Sequence, residues 1–302
     1  MKLCLGTVQQ GMEYGINNKH GKPSLEESMQ IFDTAVKNGI TVFDTARAYG
    51  DAEVLLGEYF KNYGNQDKIK VISKLRPNIL SDNESFYDTM RRECEDSLKR
   101  IGVEKLDGYL FHTPEYIRNN QAVQTLVKLK EEGLVNNIGV SIYNMEDGDI
   151  AIDTGVVDYI QLPFSVFDQR GMTSGFIQRA KEEGITIFTR SAFLQGLYFM
   201  KAENLPEKVK QAQPLLKKLN TILNEYQKNK EELLISFVKM YELIDYLVFG
   251  VDTVGQLKRD ASVFECESTL ENDICERIKT EFSLVPESII IPSLWSNGKK
   301  AE

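Results

Sequence analysis

Eight short, β-rich apolar runs recur along the chain, each followed by a longer stretch with the spacing of an amphipathic helix. This alternation limits the possible folds more than any other feature. The runs fall at 2–8, 40–44, 69–74, 106–112, 137–141, 158–162, 185–190 and 246–250. The helical stretches fall near 24–38, 51–61, 82–101, 120–133, 145–153, 172–183, 207–227 with 230–241, and 254–264. Strand, helix and strand in turn make βαβ units and a parallel sheet. Eight such units in about 250 residues predict an α/β fold of the closed (β/α)8 kind, a TIM barrel, rather than an open sheet.

Local signals mark where the helices begin and end. Ser24-Leu25-Glu26-Glu27 reads as a capping box, a hydroxyl cap with a carboxylate three residues on. Asn38-Gly39 supplies a left-handed turn at the end of that helix, and Glu132-Gly133 and Glu183-Gly184 repeat the device before later strands. The Lys-rich stretch 207–230 reads as a solvated helical face. Since no low-complexity linker divides the chain, residues 1–302 are expected to form one barrel domain. Residues 283–302 would be a tail crossing its surface, anchored by Trp295.

Bulk properties narrow the function. Apolar residues make up 42% and charged residues 27%, ordinary values for a globular enzyme. The net charge of −9 argues against nucleic acid or an anionic membrane as the main partner, so a small molecule is expected. No apolar run reaches the ~18 residues needed to cross a bilayer. The N-terminal apolar run is too short for a signal peptide. Cys4, Cys94, Cys266 and Cys275 form no CxxC pair, and the chain has only two histidines. A zinc site is therefore not expected, and the cysteines read as reduced packing groups in a cytoplasmic protein. Oligomeric state is not given by the sequence.

Polar residues close three of the runs. Asp44 ends Ile40-Thr41-Val42-Phe43, Lys74 ends Ile69-Lys70-Val71-Ile72-Ser73, and His112 ends Leu106-Asp107-Gly108-Tyr109-Leu110-Phe111, while Tyr49 lies five residues beyond Asp44. Chemistry in a parallel barrel sits at the carboxyl ends of the strands. An acid, an amine, a phenol and an imidazole gathered there make a proton-transfer device. The phenol of Tyr49 would be the acid, but its ordinary pKa near 10 is high for transfer near pH 7. Lys74 would lower it: a unit charge at ~4 Å and an effective dielectric of ~20 is worth about 4 kcal/mol, at most roughly three pKa units. Asp44 would keep Lys74 charged and oriented, and a neutral His112 would donate to a substrate carbonyl.

In this arrangement the chain resembles the aldo-keto reductase family. Phe43-Asp44-Thr45-Ala46 with Tyr49-Gly50, Ser73-Lys74-Leu75 and Leu110-Phe111-His112 look like its signatures. Gly139-Val140-Ser141, Gln161, Ser191 with Gly196-Leu197, and Gly250 with Gln256-Leu257 follow in family order, so the resemblance spans nearly the whole chain. It implies a reductase of aldehydes or ketones, sugar-type carbonyls among them, that uses NADP as NADPH, with NAD possible. It also implies binding without a Rossmann fold, in keeping with the absence of a GxGxxG loop.

The resemblance assigns cofactor positions as well. Ser141 and Gln161 would hold the nicotinamide carboxamide, although the Asn usual after that Ser is Ile142 here. Arg190 takes the place of an aromatic that stacks on the ring; it would either stack by its planar guanidinium or point to substrate or pyrophosphate. Ser191 and the backbone at Leu194, Gln195 and Gly196 would hold the pyrophosphate. The segment with Gly250, Asp252, Thr253, Gln256 and Asp260 would hold the adenosine end, with Asp252 where relatives often carry Arg and Asp260 where they often carry Asn. His20, Glu13, Tyr14 and the run Asp168-Gln169-Arg170 are further residues expected near the barrel mouth. Two rival functions are a Schiff-base aldolase using Lys74, and a non-catalytic regulatory subunit that binds nicotinamide nucleotides.

Overall fold

Strands β1 (Lys2–Gly6), β2 (Val42–Asp44), β3 (Lys70–Leu75), β4 (Leu106–Phe111), β5 (Val135–Ser141), β6 (Tyr159–Pro163), β7 (Thr186–Arg190) and β8 (Tyr246–Phe249) follow one another in a closed, all-parallel barrel. The structure is a computed structural model and describes residues 1–81, 83–266 and 270–295. Closure is made by β1 against β8, with Lys2 opposite Tyr246 and Leu5 opposite Phe249. Each predicted strand lies within a couple of residues of its observed place. The clearest difference is at β1, which stops at Gly6 because Val8–Gly11 turns into a short helix.

The barrel interior explains where the site must be. Cys4, Val42, Ile72, Leu110, Tyr159, Phe188 and Val248 pack together inside the strands as one apolar layer. Side chains on a strand return to the same face every second residue. Two residues further on, the same inner face carries Gly6, Asp44, Lys74, His112, Gln161, Arg190 and Gly250, and on β5 the step from Gly139 reaches Ser141. The polar layer therefore lies directly on the apolar plug, at the carboxyl ends. Gly139 has to be glycine, because a Cβ there would come within 1.9 Å of the Tyr159 carbonyl oxygen.

The larger core lies between the sheet and its helices. Helix Leu25–Lys37 has the capping box expected of Ser24 and Glu27. Three helices differ from their sequence expectation, each for a local reason. The helix expected over 82–101 begins only at Phe86, after the Ser85 cap; Asp82 lies outside the described residues. The helix expected over 172–183 is two pieces, Arg170–Thr173 and Phe176–Glu182, because Gly175 takes a left-handed conformation (φ 71°) between them. Residues Glu207–Ala212 form a 3-10 turn, and the α-helix starts at Gln213 with Pro214 in its first turn. In that helix Leu216, Leu219, Ile222 and Leu223 are buried, and the lysines take the outer face. Past the barrel come a helix at Asn272–Glu281, unpredicted although Ile274, Cys275 and Ile278 recur at helical spacing, and a segment in which Ile289, Ile290, Ile291 and Trp295 are buried. The Trp295 indole donates to the Ile289 carbonyl at 3.2 Å. The rest of the expected tail, 296–302, lies outside the described residues.

Candidate active site

Lys74 has no exposed surface and lies under the polar layer. Its ammonium donates to Asp44 Oδ1 at 2.7 Å, Asp44 Oδ2 at 2.8 Å and the Thr45 carbonyl at 3.0 Å. Tyr49 Oη is 3.5 Å from the same nitrogen. Asp44 is itself buried and accepts a further bond from Gln161 Nε2 at 2.8 Å. Gln161 Oε1 in turn accepts from Ser141 Oγ at 3.4 Å. The ring of His112 meets that of Tyr49 edge to face, with centroids 5.3 Å apart. All four candidate catalytic residues and two of the cofactor candidates thus form one connected group.

The electrostatics depart from expectation at one point. The Tyr49 phenol is raised well above its ordinary value, first by burial and then by the Asp44 carboxylate, with Arg190 pulling the other way. The expected lowering by Lys74 is offset because the lysine charge is already matched by Asp44 at bonding distance. Tyr49 is accordingly a neutral phenol, which is the form that can give up a proton. Burial, with the charges of Lys74 and Arg190, pushes His112 down to about 3. It is a neutral imidazole, as expected, and its buried Nδ1 has no partner among the described residues.

Asp44, Tyr49 and Gln161 open into a cleft of about 730 Å³ that runs across the mouth to Asp260. Its size falls in the range of pockets that take small ligands and cofactors. Of the remaining cofactor candidates, Arg190, Ser191, Leu194, Gly196, Gly250, Asp252, Gln256 and Asp260 line it, while Ser141 sits behind Gln161 and Thr253 beside Asp252. Ser191 (φ 68°), Leu194 (φ 44°) and Gln195 (φ 53°) are left-handed although none is glycine, and Gly196 (φ 84°) continues the run. Successive turns of this kind can direct backbone N–H groups into one hollow suited to an anion. At the far end Thr253 caps helix Val254–Glu265, and Gln256 accepts from the Asp252 N–H at 2.6 Å. Asp260 is buried and pushed up to about 7, chiefly by burial and then by Glu231.

The remaining sequence candidates divide. Tyr14 and His20 line the cleft; the Tyr14 hydroxyl accepts from Gln195 Nε2 at 3.0 Å and is pushed up to about 12, mainly by burial. Glu13 is exposed beside them. Asp168 is buried against Arg170, with bonds of 2.9 Å from Nε and from Nη2, and Gln169 bonds to the Val166 and Ile278 carbonyls. That group braces the turn after β6 and does not line the cleft. Three contributors were missed. Tyr143 lies 4.2 Å beneath the Arg190 guanidinium, Glu231 enters the cleft from helix Lys230–Lys239, and Asn18 bridges to Asp252 at 3.5 Å. Only Asn18 gave a sequence signal, as part of the polar run Asn17-Asn18-Lys19-His20. That loop also reaches Gln195, whose carbonyl accepts from the Ile16 N–H at 3.0 Å.

A sequence profile described as the Aldo/keto reductase family matches residues 2–280. The chain belongs to this family. Among curated relatives it is similar to the aldo-keto reductase YhdN of Bacillus subtilis, 25% identical over 86% of this chain and 88% of that protein. It is also similar to an NADH-specific methylglyoxal reductase of Escherichia coli, 26% identical over 53% of this chain and 54% of that protein. Among solved structures the holo form of aldo-keto reductase AKR11C1 from Bacillus halodurans shares the fold, with a TM-score of 0.74 and 18% identity over 92% of this chain and 91% of that one. As an aldo-keto reductase the chain is an NAD(P)-dependent oxidoreductase on a (β/α)8 barrel.

Proposed function

We propose that the protein reduces the carbonyl of a small aldehyde or ketone to the alcohol, with Tyr49 as the proton donor. The observation that carries this reading is the neutral Tyr49 phenol held between the Asp44–Lys74 pair and the neutral His112 ring at the mouth of the cleft. The cleft fits a dinucleotide in size, and the left-handed run at Ser191–Gly196 suits its pyrophosphate. Gln161 and Ser141 would meet the carboxamide and the β8 segment the adenosine. When bound, the reduced dinucleotide supplies the hydride, which no side chain can.

The chain supplies the rest. His112 donates to the carbonyl oxygen and orients it, so that negative charge arriving on that oxygen meets two donors, the imidazole and the phenol. Tyr49 gives its proton to that oxygen. Lys74 lies 3.5 Å from the phenol oxygen and steadies the phenolate left behind, while Asp44 keeps the lysine in place. The dinucleotide is NADPH or NADH; the sequence-based expectation of NADPH meets acidic side chains at the β8 end. Cys4, Cys94 and Cys275 are buried thiols, in keeping with the cytoplasmic setting expected from the sequence.

The aldolase alternative has little support. A Schiff base needs a free, neutral amine able to reach the carbonyl, whereas Lys74 is fully buried and its three hydrogens are taken by Asp44 and Thr45. The reading is tested with a panel of carbonyl compounds, following loss of reduced-dinucleotide absorbance in wild type and Tyr49→Phe. Turnover by wild type that disappears in the variant supports it. Borohydride trapping of substrate on Lys74 would favour the aldolase instead.

A further inference from the structure

Arg190 ends β7, yet its side chain leaves that strand for the other side of β6. Nη2 donates to the Ile142 carbonyl at 3.1 Å, and the guanidinium lies 4.2 Å from the centre of the Tyr143 ring. Ile142 and Tyr143 are the two residues that follow β5. The charge thus leans away from β8 and the acidic end of the cleft, toward the side where His112 leaves β4. Its field reaches His112, Tyr49 and Tyr14. It stands beside the reacting centre.

Every contact this guanidinium makes is neutral: a carbonyl, the Ser191 hydroxyl at 3.4 Å and an aromatic face. Among the described residues no carboxylate lies within ion-pair distance of it. Asp44, the nearest acid in the polar layer, is taken up by Lys74 and Gln161. Two other partly buried arginines are matched, Arg76 by Glu93 and Arg170 by Asp168, while Arg47 and Arg100, which form no ion pair among the described residues, do not line the cleft. A cation that is partly withdrawn from water and left unmatched is costly. At this position it has a second effect: a bare guanidinium beside the reacting centre would oppose any transfer that leaves positive charge on a bound dinucleotide. An oxyanion in the cleft would remove both costs.

We propose that Arg190 receives an oxyanion on the substrate, so that the preferred carbonyl compounds carry a carboxylate or phosphate a few bonds from the reacting carbon. This rests on the reading of Tyr49 and His112 as the reacting centre. Tyr14 supports the anion: its hydroxyl accepts from Gln195, which leaves its own proton for the cleft. Tyr143 fixes the guanidinium plane from below and leaves the opposite face and the remaining N–H groups for the ligand.

The test compares charged and neutral aldehydes of like length: 4-oxobutanoate against butanal, and glyceraldehyde 3-phosphate against glyceraldehyde. Wild type should favour one charged member over its neutral partner in kcat/KM by at least ~10-fold, and which pair shows it names the anion. In Arg190→Met that ratio should collapse by ~10–100-fold, and Arg190→Lys should restore part of it. Reduced-dinucleotide affinity is measured on the same proteins by fluorescence titration. A loss there as large as the loss for the anion would show that Arg190 serves the pyrophosphate, and would overturn the proposal. So would a wild type that treats charged and neutral aldehydes alike. Calorimetric titration of the enzyme–dinucleotide complex with butyrate or inorganic phosphate, which have nothing to reduce, reads the anion site without turnover. One of them should bind wild type at least ~10-fold more tightly than Arg190→Met; equal affinities for both ions overturn the proposal. Anion binding intact in a protein that reduces no aldehyde would instead reject the reductase reading alone.

Discussion

Lys74 shows how one residue can serve both stability and chemistry. Its ammonium has no exposed surface, and the side chain of Asp44 is 4% exposed, so each charge depends on the other. Lys74→Met leaves the carboxylate with the Gln161 amide as its side-chain partner. The loss expected for breaking such a buried pair is about 3–5 kcal/mol, read as a lower midpoint in urea unfolding; a midpoint equal to wild type would show that water already reaches the pair. Tyr49→Phe is the complementary variant, because it removes the proton and keeps the ring against His112. Turnover should fall at least ~10²-fold with little change in dinucleotide affinity. Retention of more than half the wild-type rate, with the chemical step limiting, would falsify the assignment. That these residues come together was legible from the sequence because strand ends are legible. The electrostatic state of Tyr49 was not, since it depends on burial and on where the lysine charge is already spent: Lys74 was expected to lower the phenol, and in the fold burial first and then the Asp44 carboxylate outweigh it.

Most elements were legible because a period governs them. The two-residue repeat places the apolar plug and, one step later, the polar layer, so eight runs read in one dimension become a ring of side chains. Loops carry no such period. Tyr143 reaches Arg190 from a loop and Glu231 enters the cleft from a helix, and the sequence does not encode locally where either packs; the helix at Asn272–Glu281 was missed although Ile274, Cys275 and Ile278 recur at helical spacing. Gly11 shows what these connections do for the site. A Cβ on Gly11 would stand 1.8 Å from the Tyr49 carbonyl oxygen and 2.7 Å from the Ala52 nitrogen, while Asp51 N–H already bonds the Gly11 carbonyl at 3.2 Å. The turn after β1 is therefore a gauge for the loop that carries Tyr49. Gly11→Ala must push the two segments apart, at a cost of about 1–3 kcal/mol typical of overpacking. Because a displacement near 1 Å can cost ~10²-fold in rate, kcat should drop at least ~10-fold at a temperature where the variant remains folded by circular dichroism. Full activity would mean that the loop absorbs the shift without moving the phenol.

Across the whole molecule the cleft is electrically polarised. Arg190 lies toward its Tyr49 end, where Asp44 is matched by the buried Lys74, and Asp252, Glu231 and Asp260 lie toward β8. Lys19, His20 and Lys201 also line it, from exposed positions on the covering loops. Family resemblance puts the adenosine ribose at the acidic end, where a 2′-phosphate separates NADPH from NADH. Lys258 and Arg259, one turn along the helix, are the nearest basic residues in the sequence that could offer that phosphate a positive charge. In the fold both are exposed, neither lines the cleft, and Arg259 approaches Glu231 at 3.7 Å. Asp252 is half-buried and raised above the usual carboxylate range, first by burial, with Gln256 and His20 pulling it back. The NADPH advantage in affinity should therefore stay under ~100-fold, about 2.7 kcal/mol. Its pH dependence follows from Asp260. Burial and Glu231 push that carboxyl up to about 7, so it is mostly charged at pH 8 and mostly neutral at pH 6. Ionised, it repels a 2′-phosphate; protonated, it does not. The NADPH-to-NADH affinity ratio should thus rise as pH falls from 8 to 6.5. Asp260→Asn should raise it by ~10-fold at pH 8, an interaction of about 1.4 kcal/mol, and should flatten its change with pH. Fluorescence titration of both reduced dinucleotides at one ionic strength reads all of this. An NADPH preference above ~1,000-fold in wild type, unchanged by Asp260→Asn, would show that the phosphate is held by the loop lysines and that the acids face away from it.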